Sequence, residues 1–104
     1  MDDEVKISEI QFTPVKPQDG LVGFASFVLD GKYYVGSIAI YTRLNGIGYR
    51  LVYPAKKVGE RNINTFHPID PNVGKIIEDK VSGKVYNILE EQVNENYVRP
   101  QRTI

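Results

Sequence analysis

The sequence lacks the residues on which several common chemistries depend. Among its 104 residues there is no cysteine and a single histidine, which excludes disulfides, thiolate zinc sites, cysteine nucleophiles and histidine-rich metal centres. It contains no apolar run of the roughly 18–20 residues that span a bilayer, and no glycine-rich motif suited to a nucleotide. We therefore expect a protein that is not an enzyme, with no metal or other cofactor, no small-molecule substrate and no membrane partner.

What is present is typical of one globular domain. Hydrophobic residues make up 41% of the chain and charged residues 25%, which are ordinary values for a folded protein. A chain of 104 residues is long enough for one hydrophobic core and too short for two, so we expect a single domain over residues 1–104. The acidic start, Met1 to Glu4, differs from the basic start of a secretory signal, so we expect a cytoplasmic protein.

Five strand-like segments precede one helical region. The segments are residues 5–15, 21–29, 33–42, 49–53 and 62–66. Asp30-Gly31 and Asn45-Gly46 predict tight turns, because glycine tolerates the positive φ of hairpin turns. The order predicts an α+β fold: a five-stranded antiparallel meander over about residues 5–69, a C-terminal helical region over about 70–95 packed on one face, and a frayed tail over 96–104.

The helical region has a clear start and one weak point. Asp70 is a good N-cap residue and Pro71 suits the first helical position. Apolar residues then follow helical spacing, namely Val73, Ile76, Ile77, Val81, Val85, Ile88 and Leu89. Gly83 lies within this pattern at a cost of about 1 kcal/mol relative to a good helix former, so the region can bend there.

The second and third strands are apolar on both faces if their side chains alternate strictly. Alternation puts Leu21, Ala25, Phe27 and Leu29 on one face of the second strand and Val22, Phe24 and Val28 on the other. It puts Tyr33, Val35, Ala39 and Tyr41 on one face of the third strand and Tyr34, Ile38 and Ile40 on the other. One helical layer covers one face, so we expect a second copy of the chain to cover the other and form a homodimer. The alternative is that curling of the sheet and its aromatic rim hide the excess apolar surface.

Positive charge is concentrated in the middle of the chain. Residues 43–84 contain eight basic and four acidic residues, although the formal net charge of the whole chain is zero. The candidate contacts to the phosphate backbone of a nucleic acid are Lys56, Lys57, Arg61, Arg50 and Lys75. Tyr49 and Tyr53 are candidate stacking surfaces for unpaired bases. The alternative is that these cations lie on an ordinary solvated hairpin tip.

The only histidine of the sequence, His67, precedes Pro68 just before the helix cap. Proline restricts the residue before it to extended geometry, so the ring can point across the start of the helix or into the edge of the sheet. We expect its ring to hold the loop by a hydrogen bond to the backbone. The alternative is a phosphate contact in its charged form.

From about residue 5 to residue 91 the chain resembles the stage V sporulation protein G (septation regulator) family of bacteria, as a divergent member. The shared elements are Val28-Leu29-Asp30, Asn45-Gly46, Pro54-Ala55-Lys56-Lys57, Gly59-Glu60, Arg61 and His67-Pro68-Ile69. The resemblance implies a small homodimer of sheet and helix that binds DNA, and in some members RNA, and acts as a regulator in septation and sporulation. It also implies that Lys56, Lys57 and Arg61 contact nucleic acid, while His67, Pro68 and Ile69 form a structural junction.

A second class of function also fits the sequence. An exposed sheet edge or apolar face can capture a segment of another protein, in which case the chain is a protein-interaction module that does not bind nucleic acid.

Overall fold

Four antiparallel strands form the main sheet, in the order β1-β2-β3-β4. They are β1 (Ile7–Gln18), β2 (Leu21–Leu29), β3 (Tyr33–Thr42) and β4 (Tyr49–Val52). A separate hairpin of β5 (Ala55–Val58) and β6 (Arg61–Asn64) follows, and then one helix, α1 (Pro71–Arg102). The predicted α+β fold, with an antiparallel sheet and a C-terminal helical region, is confirmed.

This computed structural model describes the backbone of residues 5–102 and the side chains of residues 5–90. The acidic start at residues 1–4 and the last two residues of the predicted tail lie outside that range. No helix within it is long and apolar enough to cross a membrane.

The turn between β2 and β3 forms as its sequence predicts. Asp30 and Gly31 have φ angles of 52° and 66°, and a type I′ turn requires a positive φ at both central residues. The Lys32 amide donates a hydrogen bond to the Leu29 carbonyl at 2.9 Å. Because the turn fixes the register, both flanking strands have the predicted bounds.

Bulges interrupt the alternation of side chains that the sequence analysis assumed. In the β2–β3 ladder Ala25 pairs with Ile38 while Phe27 pairs with Val35, so an extra residue of β3 lies opposite β2. Ser37, within this bulge, has a φ of 59°, the left-handed conformation that side chains disfavour. The bulge shifts the faces of β3 by one residue. The predicted separation of Val35 from Ile38 is therefore wrong, because both side chains lie in the core, at 5% and 0% exposure.

The helix covers the core face of the main sheet. Its Ile77, Val81 and Val85 side chains are 0–1% exposed. The buried strand residues beside them are Ile7, Phe12, Ala25, Phe27, Val35, Ile38 and Ile40. The helix contacts β1 and β4, so it lies across the sheet from one edge to the other. Burial of this apolar stripe is the main source of stability for a helix in a globular protein.

The opposite face of the main sheet, here called the open face, has no covering layer among the described residues. By register it carries Ser8, Gln11, Thr13, Leu21, Phe24, Ser26, Val28, Tyr34, Ser37, Ala39, Tyr41, Arg50 and Val52. Because the bulge moves large aliphatic residues of β3 into the core, this face is more polar than strict alternation predicts. The argument for a second copy that covers it is weakened accordingly.

The predicted fifth strand of the meander does not join the main sheet. Pro54 follows β4 and has no amide proton to donate to a ladder. The chain then turns back at Gly59, whose φ is 64°. As a result β6 pairs with β5, and together they form a hairpin of their own instead of extending the meander.

Helix α1 starts where the sequence predicts and ends later. The Asn72 amide donates to Asp70 Oδ1 at 2.8 Å, as an N-cap requires. The helix passes through Gly83 without a break and reaches Arg102, beyond the predicted end near residue 95. From Gly83 to Pro100 the sequence has no further glycine or proline that would stop a helix.

The bulge gives a stability prediction. Ser37→Val should lower the free energy of unfolding by about 1–2 kcal/mol, because a β-branched residue resists the left-handed conformation. Ser37→Gly should leave it unchanged or raise it slightly, since glycine adopts this conformation without strain. Urea denaturation measures both effects. Ser26→Val, on the facing strand, is the control and should change stability by less than about 0.5 kcal/mol. Equal losses in the two valine variants would contradict the role of the bulge.

Candidate nucleic-acid interface

The hairpin of β5 and β6 projects from the main sheet. All eight of its strand residues are exposed. Gly59 and Glu60 form a two-residue turn, and glycine at the first central position suits a type II′ turn. The residues between the fourth and fifth predicted strands therefore belong to a regular hairpin that presents its side chains to solvent.

The root of the hairpin is held by hydrogen bonds and an aromatic contact. The Thr65 amide donates to the Pro54 carbonyl at 2.9 Å, and the Thr65 hydroxyl donates to the same oxygen at 3.2 Å. Just outside this closure the rings of Tyr53 and Phe66 pack with their centroids 5.8 Å apart. Both rings also pack against the core. The hairpin is thereby fixed at its base while its strands remain exposed.

The ladder separates the three predicted cations of the hairpin onto two faces. Lys56 pairs with Ile63, and Val58 pairs with Arg61. Residues directly opposite each other, and residues two apart on one strand, share a face. Lys56 and Arg61 therefore lie on one face together with Val58 and Ile63. Lys57 pairs with Asn62 and points to the other face, which the sequence analysis did not predict.

The cations of the hairpin have no acidic partner in the part of the chain whose side chains are described. The ion pairs found there are Arg43–Glu78 and Lys75–Asp79. Lys56, Lys57 and Arg61 are in neither, so their charge is available to an external anion. An exposed cation without an internal partner is what a phosphate contact needs.

The structure does not bring Arg50 and Lys75 to the hairpin. Arg50 lies on the open face of β4, with its guanidinium carbon 5.0 Å from the centroid of the Tyr41 ring. Lys75, in the second turn of α1, lies 3.6 Å from Asp79, with both side chains largely exposed. Such exposed pairs contribute little energy, so Lys75 can still meet a phosphate, though at a different place on the molecule.

Arg43 is an arginine of this region that the structure ties to the helix. Its Nη2 donates to Glu78 Oε2 at 2.6 Å, which joins the end of β3 to α1. Arg43 and Arg50 line a cleft of about 350 Å³ at the β3–β4 loop, together with Leu44 and Asn45. Two arginines therefore lie at this end of the main sheet.

The two tyrosines predicted to stack on bases also pack against the core of the protein. Tyr49 and Tyr53 are partly buried and pack against the core. Burial raises the pKa of Tyr53 to about 12, with a smaller contribution from the Glu78 carboxylate. The pKa of Tyr49 is also raised, mainly by burial and then by Glu90 and Tyr86. Stacking of bases on these two residues stays a prediction.

Exposed aromatic residues lie on β2, on β3 and, in the case of Tyr86, on α1. Tyr34 is 75% exposed and Phe24 is 43% exposed, and both are on the open face. They line a groove of about 400 Å³ with Gln11, Thr13, Ala25, Ser26 and Ser37. The sequence analysis did not single them out, because strict alternation mixed the faces of β3. Gly36, inside a strand, is the feature that indicates a bulge.

The predicted junction before the helix is only partly packed. His67 is exposed, and its Nδ1 lies 3.3 Å from the Pro68 carbonyl oxygen. Pro68 is partly buried and close to the helix, since a Cβ atom at Gly74 would lie 3.4 Å from its Cγ. Ile69 is 89% exposed. Pro68 is thus the member of this motif that packs on the helix.

The described residues contain no cluster of three or more histidine or carboxylate side chains that could hold a metal ion. No protein-family model matches the chain, and no curated protein matches it. The relationship to the stage V sporulation protein G family stays a prediction from the motifs.

The raised pKa of Tyr53 gives a pH prediction. Its folded-state pKa of about 12 lies above the ordinary value of about 10 expected in the unfolded chain. Between these values the unfolded chain loses the proton first, so the stabilising effect present below pH about 10 is lost as the pH rises toward 12. Tyr53→Phe, which has no proton to lose, should lose less stability between pH about 9 and about 11 than the wild type does.

Urea denaturation at the two pH values measures this difference. Tyr33→Phe is the matched control, because Tyr33 is 62% exposed, and it should behave like the wild type. Equal losses in Tyr53→Phe and the wild type would show that Tyr53 does not contribute to alkaline unfolding.

Proposed function

We propose that this protein is a non-catalytic nucleic-acid-binding regulator that acts as a homodimer. DNA is the expected ligand, with RNA as a second form, in agreement with the resemblance of its motifs to the septation and sporulation regulators. The observation that carries the proposal is the projecting hairpin with Lys56, Lys57 and Arg61, which have no acidic partner among the described side chains.

The charge on the hairpin favours a polyanion over a small acidic ligand. Its strands are exposed, and it lines neither the groove of the open face nor the cleft at the β3–β4 loop, so neither cavity lets it surround a small molecule. A rigid projection with cations on two faces can instead contact phosphates along an extended backbone. Such contacts position a nucleic acid without reading its sequence.

The hairpin is also the surface on which we place the dimer contact. A two-stranded hairpin alone is at best marginally stable in water. Val58 and Ile63 share one of its faces and are 51% and 46% exposed. A second hairpin packed on this face would cover both side chains.

The same contact would bring together the cations of two subunits. Lys56 and Arg61 lie on the apolar face beside Val58 and Ile63, so they would flank the contact from both copies. Their mutual repulsion would be relieved by a phosphate backbone running between them. Dimerisation and nucleic-acid binding would therefore favour each other.

An exposed sheet edge favours the alternative, a protein-interaction module. The outer edge of β4 is unpaired among the described residues. β1, at the other edge, contains Pro14 and Pro17, which block addition of a further strand. In the main sheet the outer edge of β4 is free of proline, and its four residues offer a short ladder to a partner strand.

Removal of the cations on one hairpin face should weaken binding without regard to sequence. With about six phosphate contacts per dimer, the log–log dependence of duplex DNA affinity on salt should have a slope near −5. Lys56→Ala/Arg61→Ala should bring it to about −2 by removing four of these contacts, whereas Lys57→Ala alone should change it about half as much. Fluorescence anisotropy of a labelled duplex, titrated at several salt concentrations, gives the slopes.

The control removes the same charge from another surface. Lys80→Ala/Lys84→Ala takes two exposed cations from α1 and should leave the slope close to that of the wild type. On a heparin column the wild type should elute late in a salt gradient, and the hairpin variant early. A wild-type protein that flows through heparin and binds no duplex at low salt would favour the interaction module instead.

The dimer contact is tested by making the apolar face of the hairpin polar. Val58→Thr/Ile63→Thr keeps β-branched side chains and so keeps the strands. Light scattering should give about twice 11.8 kDa for the wild type and a mass that falls toward the monomer on dilution for the variant. Leu44→Thr, in the fully exposed β3–β4 loop, is the control and should stay dimeric. A wild type that is monomeric at high concentration would overturn the dimer, and a dimer insensitive to the hairpin change would place the contact elsewhere.

A further inference from the structure

We propose that the open face of the main sheet binds the unpaired bases of a single-stranded nucleic acid, with Phe24 and Tyr34 as stacking surfaces. This inference rests on the proposed nucleic-acid binding and adds to it a second surface, distinct from the hairpin. Its support comes from the geometry of the groove, the chemistry of its lining and the position of Arg50 at one end of the face.

The ring of Tyr34 lies flat on the sheet. A Cβ atom at Gly36 would come within 2.8 Å of the Tyr34 ring and 2.9 Å of its hydroxyl oxygen. Because Gly36 has no side chain, the ring of Tyr34, two residues earlier on β3, can occupy the space above it. A ring that lies against the backbone presents its other side to solvent, and Tyr34 is 75% exposed.

Phe24 lies on the other side of the same groove. Across the sheet, Phe24 of β2 is in line with Thr13, Ala39 and Val52. Tyr34 lies on the neighbouring strand β3, where it pairs with Val28 of β2. Both rings line the groove of about 400 Å³. Two aromatic surfaces on adjacent central strands of an antiparallel sheet are an arrangement that can stack successive bases.

The remaining lining suits the edges of bases. Gln11, Thr13, Ser26 and Ser37 supply amide and hydroxyl groups that both donate and accept hydrogen bonds. No carboxylate lines the groove, so nothing there repels a polyanion. This mixture of aromatic and neutral polar groups is unlike a surface built to pack against another apolar face.

One end of the open face is positively charged. Tyr41 and Arg50 are directly paired between β3 and β4, and Arg50 stacks over the Tyr41 ring. Arg50 also lines the cleft that contains Arg43. A strand whose bases stack on Phe24 and Tyr34 could therefore place a backbone phosphate near Arg50, while Arg43 is held in its ion pair with Glu78.

This geometry favours a single strand over a duplex. The bases of a duplex are stacked on each other and are not free to lie on protein rings, while those of a single strand can splay out. It also favours a nucleic acid over a second copy of the chain. The largest exposed aliphatic side chains among the described residues are Leu44, Ile47 and Ile69, and none of them lines the groove.

A tryptophan placed in the groove tests the contact directly. The chain has no tryptophan, so Tyr34→Trp introduces a fluorophore at the proposed stacking position. Addition of an oligothymidylate of about twelve nucleotides, within the usual site size of such surfaces, should quench its fluorescence. Tyr33→Trp is the matched control. Tyr33 is also exposed but pairs with Leu29, which packs against the core, so its indole should not be quenched.

Affinity measurements separate this surface from the hairpin. Phe24→Ala/Tyr34→Ala should weaken binding of the oligothymidylate by about 5- to 100-fold per residue removed, the usual effect of losing a stacked base. The same variant should bind duplex DNA as the wild type does. Circular dichroism should remain unchanged, because both side chains are partly or largely exposed.

The outcomes distinguish failure of the inference from failure of the proposed function. Duplex binding by the wild type without quenching in Tyr34→Trp would overturn the open-face site and leave the proposed function standing. Equal quenching in Tyr33→Trp and Tyr34→Trp would also overturn the site, since the contact would not be confined to the groove. Absence of both duplex and single-strand binding would overturn the proposed function and the inference together.

Discussion

The structure depends on how the main sheet sorts its side chains between two faces when only one face is covered by a helix. A bulge at Ser37 makes this possible, because one extra residue in β3 lets Val35, Ile38 and Ile40 all enter the core. Without it, aliphatic side chains would lie in water on the open face at a cost of about 25 cal/mol for each Å² of exposed apolar surface. The free energy gained by burying these aliphatic side chains exceeds the cost of one residue in the left-handed conformation, which is roughly 1–2 kcal/mol.

The same constraint decides what the two remaining surfaces can do. With Val35, Ile38 and Ile40 in the core, the groove of the open face is lined by aromatic rings and neutral polar groups, which are suited to stacking and hydrogen bonding. The hairpin begins after Pro54, is separate from the main sheet, and has its charged side chains exposed to solvent. The fold thus separates an aromatic surface from a cationic one. At the base of the hairpin, the rings of Tyr53 and Phe66 pack against each other and against the core.

The features that could be predicted from the sequence are those set by neighbouring residues. Asp30-Gly31 fixed the β2–β3 hairpin and Asp70 fixed the start of α1, because turn and cap conformations depend on a few adjacent residues. The bulge could not be placed in this way, since it depends on which residues of β2 and β3 meet across the ladder. The cations of the hairpin were correctly singled out as exposed, but their division between faces follows from the register that the Gly59 turn sets. Phe24 and Tyr34 were not predicted to share a face, because the bulge between β2 and β3 was not predicted.

The two surfaces differ in how their binding energy should respond to conditions. Phosphate contacts at Lys56 and Arg61 act through counterion release and weaken steeply with salt, whereas stacking on Phe24 and Tyr34 does not depend on ionic strength to first order. A nucleic acid that offers both a backbone and unpaired bases can use both surfaces of one molecule. The two proposed surfaces belong to separate elements of one chain, so binding at the first raises the effective concentration of the ligand at the second. The affinity for a ligand that reaches both surfaces should therefore exceed the affinity for either surface alone. If both proposed surfaces bind, a structured nucleic acid with a paired stem and a single-stranded segment is the ligand that would use them together.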